Sequence, residues 1–526
     1  MATENFVVAL TVVGLAWGVV AWGAGPGASD TSPKGDRTPT FYKDLLPLVQ
    51  KHCQTCHRPG QIGPFSLLDY QSARPWAKAI KNAVSTRRMP PWLANPEYGH
   101  FNNDRSLSQA EINTIVAWAN NGAPAGDPKD APPPVQWPEG GWSVKPDVSV
   151  DLPPYPVPAT GVVEWESILL PSPFKEDTWV TSVQILPGNA AVVHHMCFEF
   201  QKHNPDLPYN VYEWMEVPRD DSGDALVHDG SSTGPKEGTV VRRAVGSTEV
   251  TRFKGRLTIK GSNQFCYLPG LTMEDYRPVN GGVLVPAGSD LAVDVHYTTN
   301  GAAAIDRTRF GFTVAKTPPA KQFINLGGGE GDDNPVDSRQ QDNKKLAIPP
   351  FDGNYLGPPA DITFKKDTDL VWFRPHAHVR AKSARYTLAY PDGREEIVLD
   401  VPHYDFNWQL TYRTSLKIPK GSRMHVQFTY DNSASNKYNP DPSKWVYYGG
   451  QSWEEMGTPN MGFLVDRNVK KEDIIEEHRS NHPHFMRVVV SDAVECPINL
   501  RLLVALKQSC ENTPVRQYLP AITKGC

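Results

Sequence analysis

AVVHHMCFEF, from Ala191 to Phe200, holds no glycine or proline and mixes β-branched with aromatic residues, so it reads as a β-strand. The same alternation recurs in VVEWESILL, DTWVTSVQIL, SDLAVDVHYTT, TDLVWFRPHAHV, SARYTLAYPDG and RMHVQFTYDNS, and fills the chain beyond about Val144. The 49 prolines and 41 glycines are dispersed among these runs, as in a loop-rich β protein. A linker rich in Gly, Asp and Gln between about Lys316 and Ala347 divides the region, which predicts β domains at 140–316 and 345–495 and a tail at 496–526.

Upstream the pattern is helical, from Phe41 to about His52 and again in SARPWAKAIKNAV and SQAEINTIVAWANNG. Ser108 with Glu111 makes a capping-box start for the last of these, and Gly122 a stop. A small all-α domain is expected over 38–128, ended by the proline-rich hinge GDPKDAPPPVQWPEGGW. Before it, FVVALTVVGLAWGVVAWGAG, Phe6 to Gly25, runs without a charge. At about 1.5 Å per residue it is long enough to cross a bilayer core of about 30 Å. Glu4 stands where a signal peptide normally has positive charge, so residues 1–30 are expected to anchor the chain on the periplasmic side of a membrane, or to be a cleaved export signal. With 526 residues, a net charge of -5 and a pI of about 6.3, several domains are expected and a general basic field for nucleic acid is excluded.

CQTCH, Cys53 to His57, narrows the chemistry. A redox pair would open a helix after a strand, whereas Cys53 follows a helical stretch; a zinc site would need a second ligand pair, and none follows at the usual spacing. C-x-x-C-H fits covalent haem: Cys53 and Cys56 add to the vinyl groups and His57 ligates iron. Met89 in TRRMPPW is the expected sixth ligand, with His100 or an open position as alternatives. A core methionine is the plainer reading of Met89.

Three further stretches concentrate imidazoles: VVHHM with His194 and His195, VDVHYTTNG with His296, and RPHAHV with His376 and His378. Residues two apart share one face of a strand, so His376 and His378 can chelate one ion. His194 and His195 point to opposite faces of a regular strand, and one metal can take both only at a bulge or strand end. Taken singly, each stretch reads as an ordinary polar strand face.

In their order, with a methionine following in WEEMG, these stretches resemble the copper type II, ascorbate-dependent monooxygenases, the family of peptidylglycine α-hydroxylating and dopamine β-monooxygenases. The resemblance covers roughly Val144 to Asp466. It implies two β-sandwich domains of jelly-roll type, each binding one copper, and bacterial relatives similar in carrying a c-type cytochrome domain. It further implies that His194, His195 and His296 hold the electron-donating copper, that His376, His378 and Met456 hold the oxygen-binding copper, and that Arg374 binds a substrate carboxylate. An arginine at a strand end is otherwise a surface charge. The chain departs from the animal enzymes after Met456, where GTPNMGF offers no tyrosine for the substrate pocket and Met461 is offset from the ligand position.

Beyond the haem pair, Cys197, Cys266, Cys496, Cys510 and Cys526 remain; in an oxidising compartment Cys197 with Cys266 would brace the first copper domain. His482 and His484 in NHPHF read as a surface loop. The expected function is a membrane-tethered haem and copper monooxygenase fed by a redox partner. The alternative is a non-catalytic electron-transfer or structural subunit of a membrane redox or photosynthetic complex, docking through a helix with Gly14 and Gly18 four apart.

Overall fold

The computed structural model describes residues 37–216, 238–255, 257–258, 265–326, 346–448, 452–470 and 473–478. It is mostly β. One long sheet runs in the order Val148–Asp151, Arg309–Val314, Thr178–Leu186, Gly281–Val285, Lys321–Leu326, Gly457–Asp466, Thr368–Ala377 and Tyr412–Ile418. A second sheet, containing Glu166–Pro171, Ser289–Tyr297, Val193–Lys202 and Phe265–Tyr267, covers its first half. A third, containing Ala381–Ala389, Arg423–Tyr430 and Ala360–Phe364, covers the other. The outcome is two sandwiches with separate apolar cores, one around Phe198, Val293 and Phe310, the other around Tyr386, Val426 and Phe463.

The sandwiches share a sheet. Lys321–Leu326 pairs in parallel with Gly281–Val285 of the first and antiparallel with Gly457–Asp466 of the second. Trp372, on a strand of the second unit, is buried in the core of the first. What reads in the sequence as a linker therefore begins with a strand that joins both halves.

Two expectations need correction. The all-α cytochrome domain at 38–128 is not what the chain forms. The helical stretches are short, Phe41–Leu45 running into Leu46–His52, Tyr70–Ala73 running through Arg74–Trp76 into Ala77–Ser85, and Gln109–Asn120, because Pro64, Pro90, Pro91 and Pro96 break the pattern between them. The irregular chain between the last two is strapped onto the β body: the Asn95 N–H donates to the Asp400 carbonyl at 2.8 Å, and the Asn103 amide to the Thr411 carbonyl at 2.8 Å. The anchored, periplasmic location is corrected too, since no helix among the described residues is long and apolar enough to cross a membrane. The segment Phe6 to Gly25 lies outside the described residues, as do Cys496, Cys510, Cys526, His482 and His484.

Candidate metal centres

The first cluster is made by a fault in strand pairing. Val193–Lys202 and Ser289–Tyr297 run antiparallel with His296 opposite His195, but the next pair is Tyr297 with Val193, which leaves His194 as the extra residue of a β-bulge. The bulge turns His194 onto the side that His195 already faces, and His296 completes the set. The three ring centroids lie 5.0, 5.1 and 5.2 Å apart. One nitrogen from each ring lies within 4.8 Å of one from each of the others. Nδ1 of His194, Nε2 of His195 and Nδ1 of His296 are buried and have no hydrogen-bond partner. A buried polar atom left unpaired costs free energy, and three converging lone pairs are the donor set that a cation satisfies.

Burial lowers all three imidazoles below their ordinary pKa: His194 by burial alone, His296 to about 4 through burial and the nearby His194, and His195 through burial and the imidazoles around it. At neutral pH they are uncharged and able to ligate. Trp165 packs on two of them, with its ring centroid 4.7 Å from His195 and 5.8 Å from His296, stacked on the latter. Behind the cluster the disulfide Cys197–Cys266 joins Val193–Lys202 to Phe265–Tyr267, at residues directly opposite in register.

The second cluster sits where Thr368–Ala377 ends. His376 and His378 face each other with centroids 5.3 Å apart and planes at 87°. The Gln409 carbonyl oxygen lies 2.7 Å from His376 Nδ1 and the Glu454 carbonyl 3.3 Å from His378 Nδ1, so each Nδ1–H donates outward and fixes its ring. The register pairs His376 with Thr458 and Ala377 with Gly457, so His378 and Met456 are the next residues beyond the two paired strand ends. Glu455, fully buried, accepts from the N–H groups of His378, Arg380 and Met456 at 2.9, 2.7 and 3.1 Å and ties these positions together. Burial raises its carboxyl to about 7 against those donors. Met461 is a core residue with no exposure.

The two clusters adjoin. Phe406 has its ring centroid 6.0 Å from that of His194 and 5.9 Å from that of His378. Arg374 does not face this space as a free cation. It is buried, donates to Thr411 Oγ1 at 2.8 Å, lies over the Trp372 ring and meets Glu274 of the first sandwich at 3.3 Å. Arg413 reaches the other oxygen of Glu274 at 3.4 Å.

At CQTCH, Cys53 and Cys56 are unpaired thiols on the turn after Leu46–His52. His57 Nδ1 is 3.2 Å from the Phe65 carbonyl, to which it donates. Gly63 packs so tightly that a Cβ there would stand 2.6 Å from the Cys56 carbonyl oxygen and 2.9 Å from the His57 ring. The turn is tied to the first sandwich by Arg105, whose carbonyl lies 3.1 Å from His52 Nδ1 and whose guanidinium donates to the Gly270 carbonyl at 3.3 Å. Met89 lines a cleft of about 470 Å³ with Trp92, Leu107 and Ile112, and His57 is not in its wall. His100 is exposed beside the second sandwich, where Gly99 packs on Val398. Sequence reasoning missed Trp165, Gln409, Glu455 and Phe406; only Glu455 carried a signal, as the neighbour of Met456.

No family model matches the chain, and no curated protein does. Among solved structures it is similar to one of infectious bursal disease virus, Gx strain, at 9% identity over 63% of this chain and 75% of that one, with a TM-score of 0.17. A Gt strain structure of the same virus matches at 11% identity over 72% and 93%, with a TM-score of 0.14. At these scores neither bears on fold or function.

Proposed function

We propose that the chain binds two copper ions and one covalent haem and inserts an oxygen atom into a substrate C–H bond. The observation that carries this reading is the triangle of imidazoles at His194, His195 and His296, each with a buried nitrogen that has no hydrogen-bond partner, set beside a second imidazole pair. When bound, copper supplies dioxygen activation and haem supplies electrons one at a time. One oxygen atom enters the C–H bond to give an alcohol, and the other leaves as water with two electrons and two protons from the donor side.

The residues divide this work. The bulge and its buried setting keep three neutral nitrogens converging. Gln409 and the Glu454 carbonyl hold the His376 and His378 rings by Nδ1–H, and a thioether at Met456 suits Cu(I). Cys53, Cys56 and His57 would hold the haem, with Phe65 fixing the His57 tautomer.

Metal analysis of the purified full chain should give two coppers per haem. His376→Ala should abolish hydroxylation and release one copper while leaving the haem spectrum intact, and His296→Ala should release the other. A chain loaded with haem that takes up no copper would overturn the reading.

A further inference from the structure

We infer that the space between the two imidazole clusters takes an uncharged, apolar substrate seated against the Phe406 ring, and not a carboxylate-bearing one. The inference rests on the two-copper reading and adds the substrate class to it.

Phe406 is the ring common to both sites. Its centroid lies 6.0 Å from that of His194 and 5.9 Å from that of His378, so the one ring is in contact with both clusters. It is half-buried and belongs to neither sandwich core, so core packing does not account for a phenylalanine here. The loop that carries it is braced on both sides. Tyr404 Oη donates to the Ala377 carbonyl at 2.9 Å and accepts the Ala377 N–H at 3.0 Å, between the two histidines of the second cluster. Asp405 accepts the Asn407 N–H at 2.9 Å, and Gln409 holds His376. A segment pinned at 404, 405 and 409 presents the ring at 406 in a set position.

The charge around it points the same way. Arg374, the residue that a carboxylate would need, is committed to Glu274 and Thr411 and lies flat on Trp372; Arg413 is committed to the same glutamate. Arg380 donates to Asn432 at 2.9 Å and to the Trp453 carbonyl at 2.6 Å. Freeing any of these would strand a buried partner. The aromatic rings set against the two clusters are Phe406 and Trp165. Such rings reward apolar contact and stacking, and none of these three arginines is left to hold a carboxylate.

Benzamide, benzoate and benzamidinium have one shape and three charges. Their binding to the copper-free full chain, followed by saturation-transfer NMR and calorimetry, separates charge from size. Benzamide should bind at least tenfold tighter than either ion, and Phe406→Leu should weaken benzamide about tenfold. Arg374→Gln should leave the order of the three probes unchanged. Copper uptake by Phe406→Leu should equal that of the unaltered chain, which also shows that the variant is folded. Benzoate binding as tightly as benzamide, indifference to Phe406→Leu, or no binding of any probe would each overturn the inference. Absence of copper uptake by the unaltered chain would instead sink the metal reading, and the probe experiment does not depend on it.

Discussion

At the scale of single residues, polar atoms that lack protein partners decide the chemistry. Gln409 shows how the second cluster is tuned, since its carbonyl oxygen is what turns the His376 ring. Gln409→Ala should weaken copper at that site by roughly 10- to 100-fold and leave the trihistidine site unchanged, as two-phase copper titration would read. Glu166 gives a pH signature away from the metals. Burial lifts its carboxyl to about 7, and Tyr155 donates to it at 2.6 Å. A raised carboxyl pKa means that the folded chain holds a proton the unfolded chain gives up. This contribution to stability is complete below about pH 4.3 and is lost as pH rises to about 7, by roughly 3 kcal/mol. Denaturant midpoints across that window should fall less steeply in Glu166→Gln. Of the site residues, the imidazoles were legible because histidines stand out in apolar strands. Gln409 and Phe406 were not, because a loop residue's role depends on which strand end it lies across, and no local pattern carries that.

At the scale of elements, alternation located the strands and missed the irregularity that matters. A period of two places His194 and His195 on opposite faces; only the register against Ser289–Tyr297 reveals the bulge that brings them together. Short helical runs were equally legible, and Gln109–Asn120 opens on its Ser108 and Glu111 capping box. That they do not close into the expected all-α domain was not legible, because the strap from Trp92 to Arg105 docks on β strands far away in sequence. The disulfide Cys197–Cys266 spans a separation of 69 residues and fastens the edge strand Phe265–Tyr267 beside the trihistidine bulge. Replacing both cysteines by alanine should cost about 4 kcal/mol in denaturant unfolding. It should weaken copper at the first site more than at the second, measurable in the same titration.

At the scale of the whole molecule, Glu274 is the joint between the sandwiches. It is buried, and it faces Arg374 and Arg413 of the second unit. Glu274→Gln leaves a buried guanidinium without its charge partner and should cost about 3 to 5 kcal/mol, read as a lowered melting temperature. Because one sheet serves both halves, unfolding of the unaltered chain should remain a single cooperative transition by circular dichroism. The strand Lys321–Leu326 makes that sheet continuous, and it carries a kinetic implication. A molecule whose halves are stitched edge to edge through this strand holds its two imidazole clusters at one spacing, and on the two-copper reading the ions they would bind keep that spacing during turnover. On that reading, thickening the solvent with glycerol should leave the rate of electron transfer between them unaltered.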